Sequence, residues 1–263
     1  MGKTILITGS RAGIGGGSAF TLAGRGHKVI ATTHFEEDAE RINRLAREQK
    51  LPIEAFKLDI TVSADRELVL PLNVDVLVNN AAIGESGSLV EIPIDKVRAN
   101  FETNLFCTLE LSQLVLPQML ERDSGTIVFM SSLGGRFVSM PFMASYIMTK
   151  YALSAGVESL RNEIKRLTKN IHITLIEPGA YKTGFNQKNF NKQYEWMGKD
   201  SFFYDLIDAM KKSDKNFERL EQKSIDSIVK KVVKACESNN PKLRYTAPWW
   251  QGLGVRLLRI LGK

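Results

Sequence analysis

Thr4-Ile5-Leu6-Ile7-Thr8-Gly9-Ser10-Arg11-Ala12-Gly13-Ile14-Gly15 decides the fold. An apolar strand pattern enters a glycine-rich turn, and helical periodicity begins at once over Ile14 to Arg25. Glycine permits a tight turn and lets backbone N–H groups approach a pyrophosphate, to which the helix N-terminus adds its partial positive charge. Glycines can also serve a turn alone, but the strand, turn, helix order favours phosphate binding. Three residues separate Gly9 from Gly13, where the usual dinucleotide fingerprint has one.

The same alternation continues downstream. Runs rich in Ile, Val and Leu predict strands near Lys28 to Thr33, Ile53 to Leu58, Val74 to Asn79, Gly125 to Ser131, Ile171 to Ile176 and Leu243 to Thr246. Helical patterns fill the gaps at Glu36 to Gln49, Ala64 to Leu70, Asp95 to Glu121, Ser145 to Thr168 and Ser224 to Ser238. Right-handed crossovers make this series an α/β Rossmann-type doubly wound parallel sheet of about seven strands with helices on both faces. One domain over residues 1–263 is expected. Residues 184–223 read as more polar and irregular, with a short helix around Phe202 to Lys212. Their aromatic cluster, Phe185, Phe190, Tyr194, Trp196, Met197, Phe202, Phe203 and Tyr204, fits either a lid over an apolar substrate or packing on the domain or a partner subunit. Residues 247–263 form an amphipathic tail: Trp249 and Trp250 precede a stripe of Leu253, Leu257, Ile260 and Leu261, with Arg256, Arg259 and Lys263 on another face. That stripe fits docking on its own protein, on a partner subunit or on a membrane surface.

Composition excludes several classes. No apolar run approaches the roughly 20 residues needed to cross a bilayer, so a cytosolic protein, with peripheral membrane contact as the alternative, is expected. Two cysteines, Cys107 and Cys236, lack neighbours at ligand spacing, and neither disulfide nor metal site is expected. The formal charge of +7 is lopsided: residues 211–263 hold 13 Lys and Arg against 5 Asp and Glu, leaving 23 against 24 upstream. Basic and aromatic residues do not interleave on a strand, so nucleic acid is not the expected partner.

Tyr146 and Lys150 stand four apart on one helical face, where a cation can favour a phenolate and lower its pKa. Ser132 ends a strand 14 residues earlier, where a hydroxyl can polarise a substrate oxygen or merely cap a turn. Asn104 sits in mid-helix, where an amide is unhelpful and needs partners, structural or functional.

These elements in this order resemble the short-chain dehydrogenase/reductase family over roughly residues 3–185. The shared pattern is Thr8 to Gly15, Asn79-Asn80-Ala81-Ala82, Asn104, Ser132, Tyr146 with Lys150, and Pro178-Gly179 with Thr183. The resemblance implies reversible hydride transfer between a nicotinamide and a carbonyl or secondary alcohol, with reduction as the favoured direction. It makes Tyr146 the general acid or base, Ser132 the group that orients the carbonyl, Lys150 the holder of the nicotinamide ribose and Asn104 the anchor of a relay water. It also places Gly9, Ser10, Arg11, Gly13, Ile14 and Gly15 at the cofactor phosphates, and Asp59 and Ile60 beside the adenine. Asn80, Ala81 and Ala82 then lie against the cofactor, and Pro178, Gly179 and Thr183 line the nicotinamide side. Ala82 replaces the family's common glycine, and one extra residue separates Ser132 from Tyr146. Phe101 to Glu110 and Lys242 to Tyr245 are similar to members acting on hydroxysteroids and retinoids, and a homodimer or homotetramer is implied.

NADP(H) is the expected cofactor, with NAD(H) as the alternative. The position where relatives often carry Asp is Thr33, and no carboxylate follows until Glu36. Arg11 and His34 supply positive groups, His34 the weaker because an ordinary imidazole is largely neutral at pH 7. A sugar-nucleotide epimerase or dehydratase on this fold needs a longer C-terminal substrate region. A cofactor-binding regulator without turnover would be marked by loss of Ser132, Tyr146 or Lys150, and none is lost.

Overall fold

A computed structural model describes residues 2–136 and 140–261. Seven parallel strands form one sheet: β1 (Thr4–Ile7), β2 (Lys28–Thr33), β3 (Ile53–Lys57), β4 (Val76–Asn79), β5 (Gly125–Met130), β6 (Ile171–Pro178) and β7 (Arg244–Ala247), in the order β3-β2-β1-β4-β5-β6-β7. Strand side chains alternate between two cores, as a period of two requires. Ile5, Ile7, Val29 and Val78 face α1 (Gly13–Gly24), α2 (Glu36–Glu48) and a later helix, α9 (Asp226–Glu237). Leu6, Ile30, Leu77 and Phe129 face α5 (Cys107–Glu121) and α6 (Ala144–Leu167). Burial on both faces explains the nearly continuous apolar runs in β1, β4 and β5.

Order reverses between β1 and β4: the chain winds one way through β2 and β3, then returns across β1 to continue through β5, β6 and β7. Such a switch point leaves a crevice beyond the carboxyl ends of the strands. α3 (Ser63–Glu67) is shorter than the helix expected over Ala64 to Leu70.

The helix expected over Asp95 to Glu121 is continuous but not uniform. α4 (Ile94–Phe101) passes through a π turn at Glu102–Phe106 into α5. Asn104 lies in that wider turn, the kind of local departure that often marks a functional position.

The larger correction concerns residues 184–223, which are mostly helical: α7 (Phe185–Trp196), a 3₁₀ turn at Tyr204–Leu206 and α8 (Ile207–Glu218). α7 buries Asn189 and Gln193 beside Phe190, so polar residues occupy inward positions and break the apolar periodicity that announces a helix. The tail forms α10 (Trp249–Ile260), in which Val255 alone is buried. Lys263 lies outside the described residues.

Candidate active site

The switch point is stapled by two residues. Thr8 Oγ1 accepts the N–H groups of Asn80 and Ala81, both at 3.0 Å, joining the ends of β1 and β4. The Asn80 amide donates back to the carbonyls of Thr8 (2.9 Å) and Gly9 (3.0 Å). The glycine turn is pressed onto this staple. A Cβ on Gly15 would lie 2.4 Å from Asn80 Nδ2, and Gly9 adopts φ +66° with Ala81 Cα 2.8 Å from where its Cβ would be. Helix α1 begins here behind Ala12, whose side chain caps nothing, and its first turn carries no acidic residue. Its leading N–H groups and the positive end of its dipole thus lack a side-chain anion.

A cleft of about 1040 Å³ opens from this turn and runs along the carboxyl edge of the sheet. Ser132, Tyr146 and Lys150 meet within it. Ser132 Oγ accepts the Gly134 N–H at 3.0 Å and also hydrogen-bonds the Tyr146 phenol, so capping and site geometry coincide in one hydroxyl. Lys150 Nζ donates to the Met130 carbonyl at 2.9 Å and stands 5.6 Å from the centre of the Tyr146 ring.

Burial dominates both titrations. It pushes the Tyr146 phenol up to about 12, against the lowering effect of Ser132, and pushes Lys150 down to about 8. Desolvation disfavours both charged forms, and it outweighs any lowering of the phenol by Lys150. The Tyr146 phenol is therefore neutral. Phe185 at the start of α7 packs on its ring, with centroids 5.6 Å apart.

The family profile described as short chain dehydrogenase matches residues 3–194. The chain belongs to that family. A probable short-chain type dehydrogenase/reductase, VdlC of Helicobacter pylori, is 31% identical over 97% of this chain and 90% of its own. Human 17-beta-hydroxysteroid dehydrogenase type 1 is 31% identical over 93% of this chain and 77% of its own. Two solved structures share the fold. A Burkholderia phymatum short-chain dehydrogenase/reductase in complex with NAD has a TM-score of 0.83 at 20% identity, covering 97% of this chain and 92% of its own. A Sphingobium yanoikuyae enzyme in complex with NADPH has a TM-score of 0.74 at 21% identity, covering 99% and 96%.

This short-chain dehydrogenase, an oxidoreductase by family, gathers most of the residues singled out in its sequence around one cleft. Gly9, Arg11, Gly13, Ile14, Gly15, His34, Asp59, Ile60, Asn80, Ala81, Ala82, Pro178, Gly179 and Thr183 line it with Ser132, Tyr146 and Lys150. Ser10, Thr33 and Asn104 do not. Ser10 Oγ donates to the Ile7 carbonyl at 2.9 Å, and Thr33 Oγ1 to the Phe35 carbonyl at 2.8 Å, which turns both side chains into the structure. The Asn104 amide is held by Ile83, accepting its N–H and donating to its carbonyl, both at 2.9 Å, with Thr149 Oγ1 at 3.2 Å. Its side chain fixes the π turn against the loop after β4.

Of the eight residues read as an apolar lid, Phe185 alone lines the cleft. Phe190 packs edge-on against Phe217, Met197 is buried, and Phe202 is exposed. The apolar walls come from Ile83, Met140, Met143, Phe217 and Leu220, and from Trp250, Val255 and Leu258 of α10. Sequence reasoning missed these, although Gln251, Gly254, Val255 and Leu258 repeat at the three- and four-residue spacing of one helical face. It also missed Glu177. This buried carboxylate accepts from Arg136 at 3.1 Å, from Thr246 at 3.0 Å and from Arg244, tying the loop after Ser132 to β6 and β7.

Proposed function

We propose that this chain reduces a bulky apolar carbonyl, or oxidises the matching secondary alcohol, using a nicotinamide cofactor with NADP(H) favoured over NAD(H). The observation that carries this reading is the group of half-buried Ser132 and Tyr146 with buried Lys150, in a cleft that runs from the glycine turn to apolar walls. The residues present fit such a cofactor. Gly9, Gly13, Ile14 and Gly15 leave a cradle that a Cβ at Gly9 or Gly15 would disrupt, and the uncapped start of α1 complements a pyrophosphate. Asp59 and Ile60 would take the adenine, Arg11 and His34 the adenosine ribose side, and Pro178, Gly179, Thr183 and Lys150 the nicotinamide side. When bound, the nicotinamide supplies or accepts the hydride.

The chain's own residues position the substrate and move the proton. With the Gly134 N–H on one of its lone pairs, Ser132 can still donate its hydroxyl proton to a carbonyl oxygen. Tyr146, neutral because its phenol is pushed up to about 12, then delivers a proton to the oxygen as charge develops. Oxidation needs the phenol to lose that proton first, which favours reduction at neutral pH. Asn104 acts as a positioning residue through the π turn. The apolar lining supports a bulky substrate, as does the likeness to a protein named as a hydroxysteroid dehydrogenase.

The test is oxidation of NADPH and NADH by the purified chain against carbonyls running from small and charged to large and apolar. Faster turnover of large apolar ketones with NADPH is expected. Preference for small charged carbonyls removes the substrate reading, and cofactor binding without turnover of any carbonyl restores the non-catalytic one.

A further inference from the structure

Helix α10 covers the cleft with one side and leaves the other bare. Gln251 fixes the inner side, accepting the Ala180 N–H at 2.8 Å and donating to the Leu220 carbonyl at 3.2 Å. At about 100° per residue, Trp249, Trp250, Leu253, Leu257, Ile260 and Leu261 fall within an arc of roughly 120° on the outer side. All six are exposed, Trp249 by 76%, Ile260 by 81% and Leu261 by 71%. The contrast with α9 is direct: of equal length, it buries Ile228, Val229, Val232 and Val233, whereas α10 buries Val255. Arg256 flanks the bare arc, Arg259 lies one step further round, and residues 247–263 contain no carboxylate.

We propose that this face of α10 docks on the surface of an anionic lipid bilayer, with the helix lying in the plane of the interface. Indole rings and aliphatic side chains on one arc, with arginines beside them, match the two halves of such an interface: acyl boundary and negative headgroup. Twelve residues are too few to span a hydrocarbon core, and among the described residues no helix is long and apolar enough to do so. Charge argues against a second copy as the occupant. Self-contact of this helix about a two-fold axis brings the arginines of both copies together, with no carboxylate in the segment to answer them.

The outer arc is continuous with the cleft mouth. Leu220, Trp250 and Leu258 line the cleft and are also exposed, so an apolar wall runs from inside to outside at the end where α10 meets the segment after α8. A bilayer-dissolved substrate would enter along that rim. This last step rests on the apolar-carbonyl reading above, whereas the docking does not.

The experiment is sedimentation of the full chain with vesicles of phosphatidylcholine alone and of phosphatidylcholine containing phosphatidylserine, at low and moderate salt. The parent is expected to bind the phosphatidylserine vesicles, less so as salt rises. The triple variant Leu253→Glu, Leu257→Glu, Ile260→Glu is expected to lose binding at least 10-fold. It should still turn over a short water-soluble ketone at the parent rate without vesicles, since none of the three residues lines the cleft. Arg256→Gln with Arg259→Gln should weaken binding several-fold on phosphatidylserine vesicles only. Absence of parent binding at low salt, or a triple variant that binds like the parent, overturns the proposal. So does a triple variant that dissociates into smaller oligomers while keeping its vesicle binding, which would assign the face to subunit contact. The ketone measurement is independent: loss of turnover in the parent sinks the enzymatic reading and leaves the docking to be judged by sedimentation.

Discussion

The two ends of the cleft use charge in opposite ways. At the Tyr146 end, the phenol is half-buried and Lys150 buried, and no carboxylate contributes to either titration; desolvation moves the phenol up to about 12 and the ammonium down to about 8. At the turn end, Arg11 has an exposed side chain 3.4 Å from Asp38, Arg41 reaches the same carboxylate at 3.3 Å, and His34 stands 3.2 Å from Asp59. Both arginines there share one carboxylate and stay exposed to solvent. Taken out of water, one group can change a rate by orders of magnitude, whereas an exposed, paired ion shifts a preference by a small factor.

The largest effect should follow Tyr146→Phe, which keeps the ring that packs on Phe185 and removes the proton donor. Turnover is expected to fall by roughly 10² to 10⁴ with cofactor binding retained. Near-parent kcat in the purified variant removes Tyr146 from the mechanism and breaks the contrast.

Lys150→Met tests burial itself. The buried ammonium destabilises the folded chain, so the variant should lose turnover yet gain about 1–3 kcal/mol of stability at pH 7. The unfolded chain holds this proton to about pH 10.4, while the folded chain releases it near 8. Between those values the unfolded state binds more protons, so the parent's stability rises with pH and the variant's advantage shrinks. Urea unfolding of both proteins at pH 7 and 9.5 measures this. An advantage that is absent, or that widens with pH, contradicts the assignment of the Lys150 shift to desolvation.

The sheet and the pairing of Tyr146 with Lys150 were legible because local pattern dictates them: apolar runs give strands buried on both faces, and four-residue spacing puts the two side chains on one helical face. The direction of the phenol's shift was not legible, since it depends on how much water the folded cleft excludes. α7 was hidden because Asn189 and Gln193 face inward. Asp38 went unnoticed as the partner of Arg11 because the two meet only when α2 folds back beside the glycine turn. Spacing shows which residues share an element; it does not show which elements meet.

Gly15 belongs to the turn itself, where packing and not charge is at stake, and its effect should be intermediate. The Cβ of Gly15→Ala would meet the Asn80 amide and the Gly9 carbonyl, 2.4 and 2.7 Å away, so either the turn or the staple shifts. Overpacking of this kind destabilises by about 1–3 kcal/mol, and a displaced turn should also weaken NADPH binding. Cofactor titration by fluorescence together with thermal unfolding checks both; an unchanged dissociation constant would detach the glycine turn from the cofactor.

The smallest effects belong to cofactor choice. Thr33 carries no charge at the position where, by resemblance, the family often has Asp, which removes one source of repulsion for a 2′-phosphate, and a modest NADPH preference is expected in kcat/KM. Of the two arginines at this end, Arg11 lines the cleft, but it is exposed and shares Asp38 with Arg41. Exposed pairs are worth about 0.2–1 kcal/mol, so Arg11→Ala should lower the NADPH to NADH ratio by about 1.5- to 5-fold. Asp38→Asn acts in the other direction: it frees both arginines from their shared anion and should raise the ratio by a similar factor. A ratio unmoved by Arg11→Ala but lowered by Arg41→Ala transfers the role to Arg41, which approaches the turn by donating to the Arg11 carbonyl at 2.7 Å. A parent that favours NADH overturns the preference. A change above 100-fold for any of these substitutions would mean that this end is as desolvated as the Tyr146 end once the cofactor is bound, and the contrast between the two would fail.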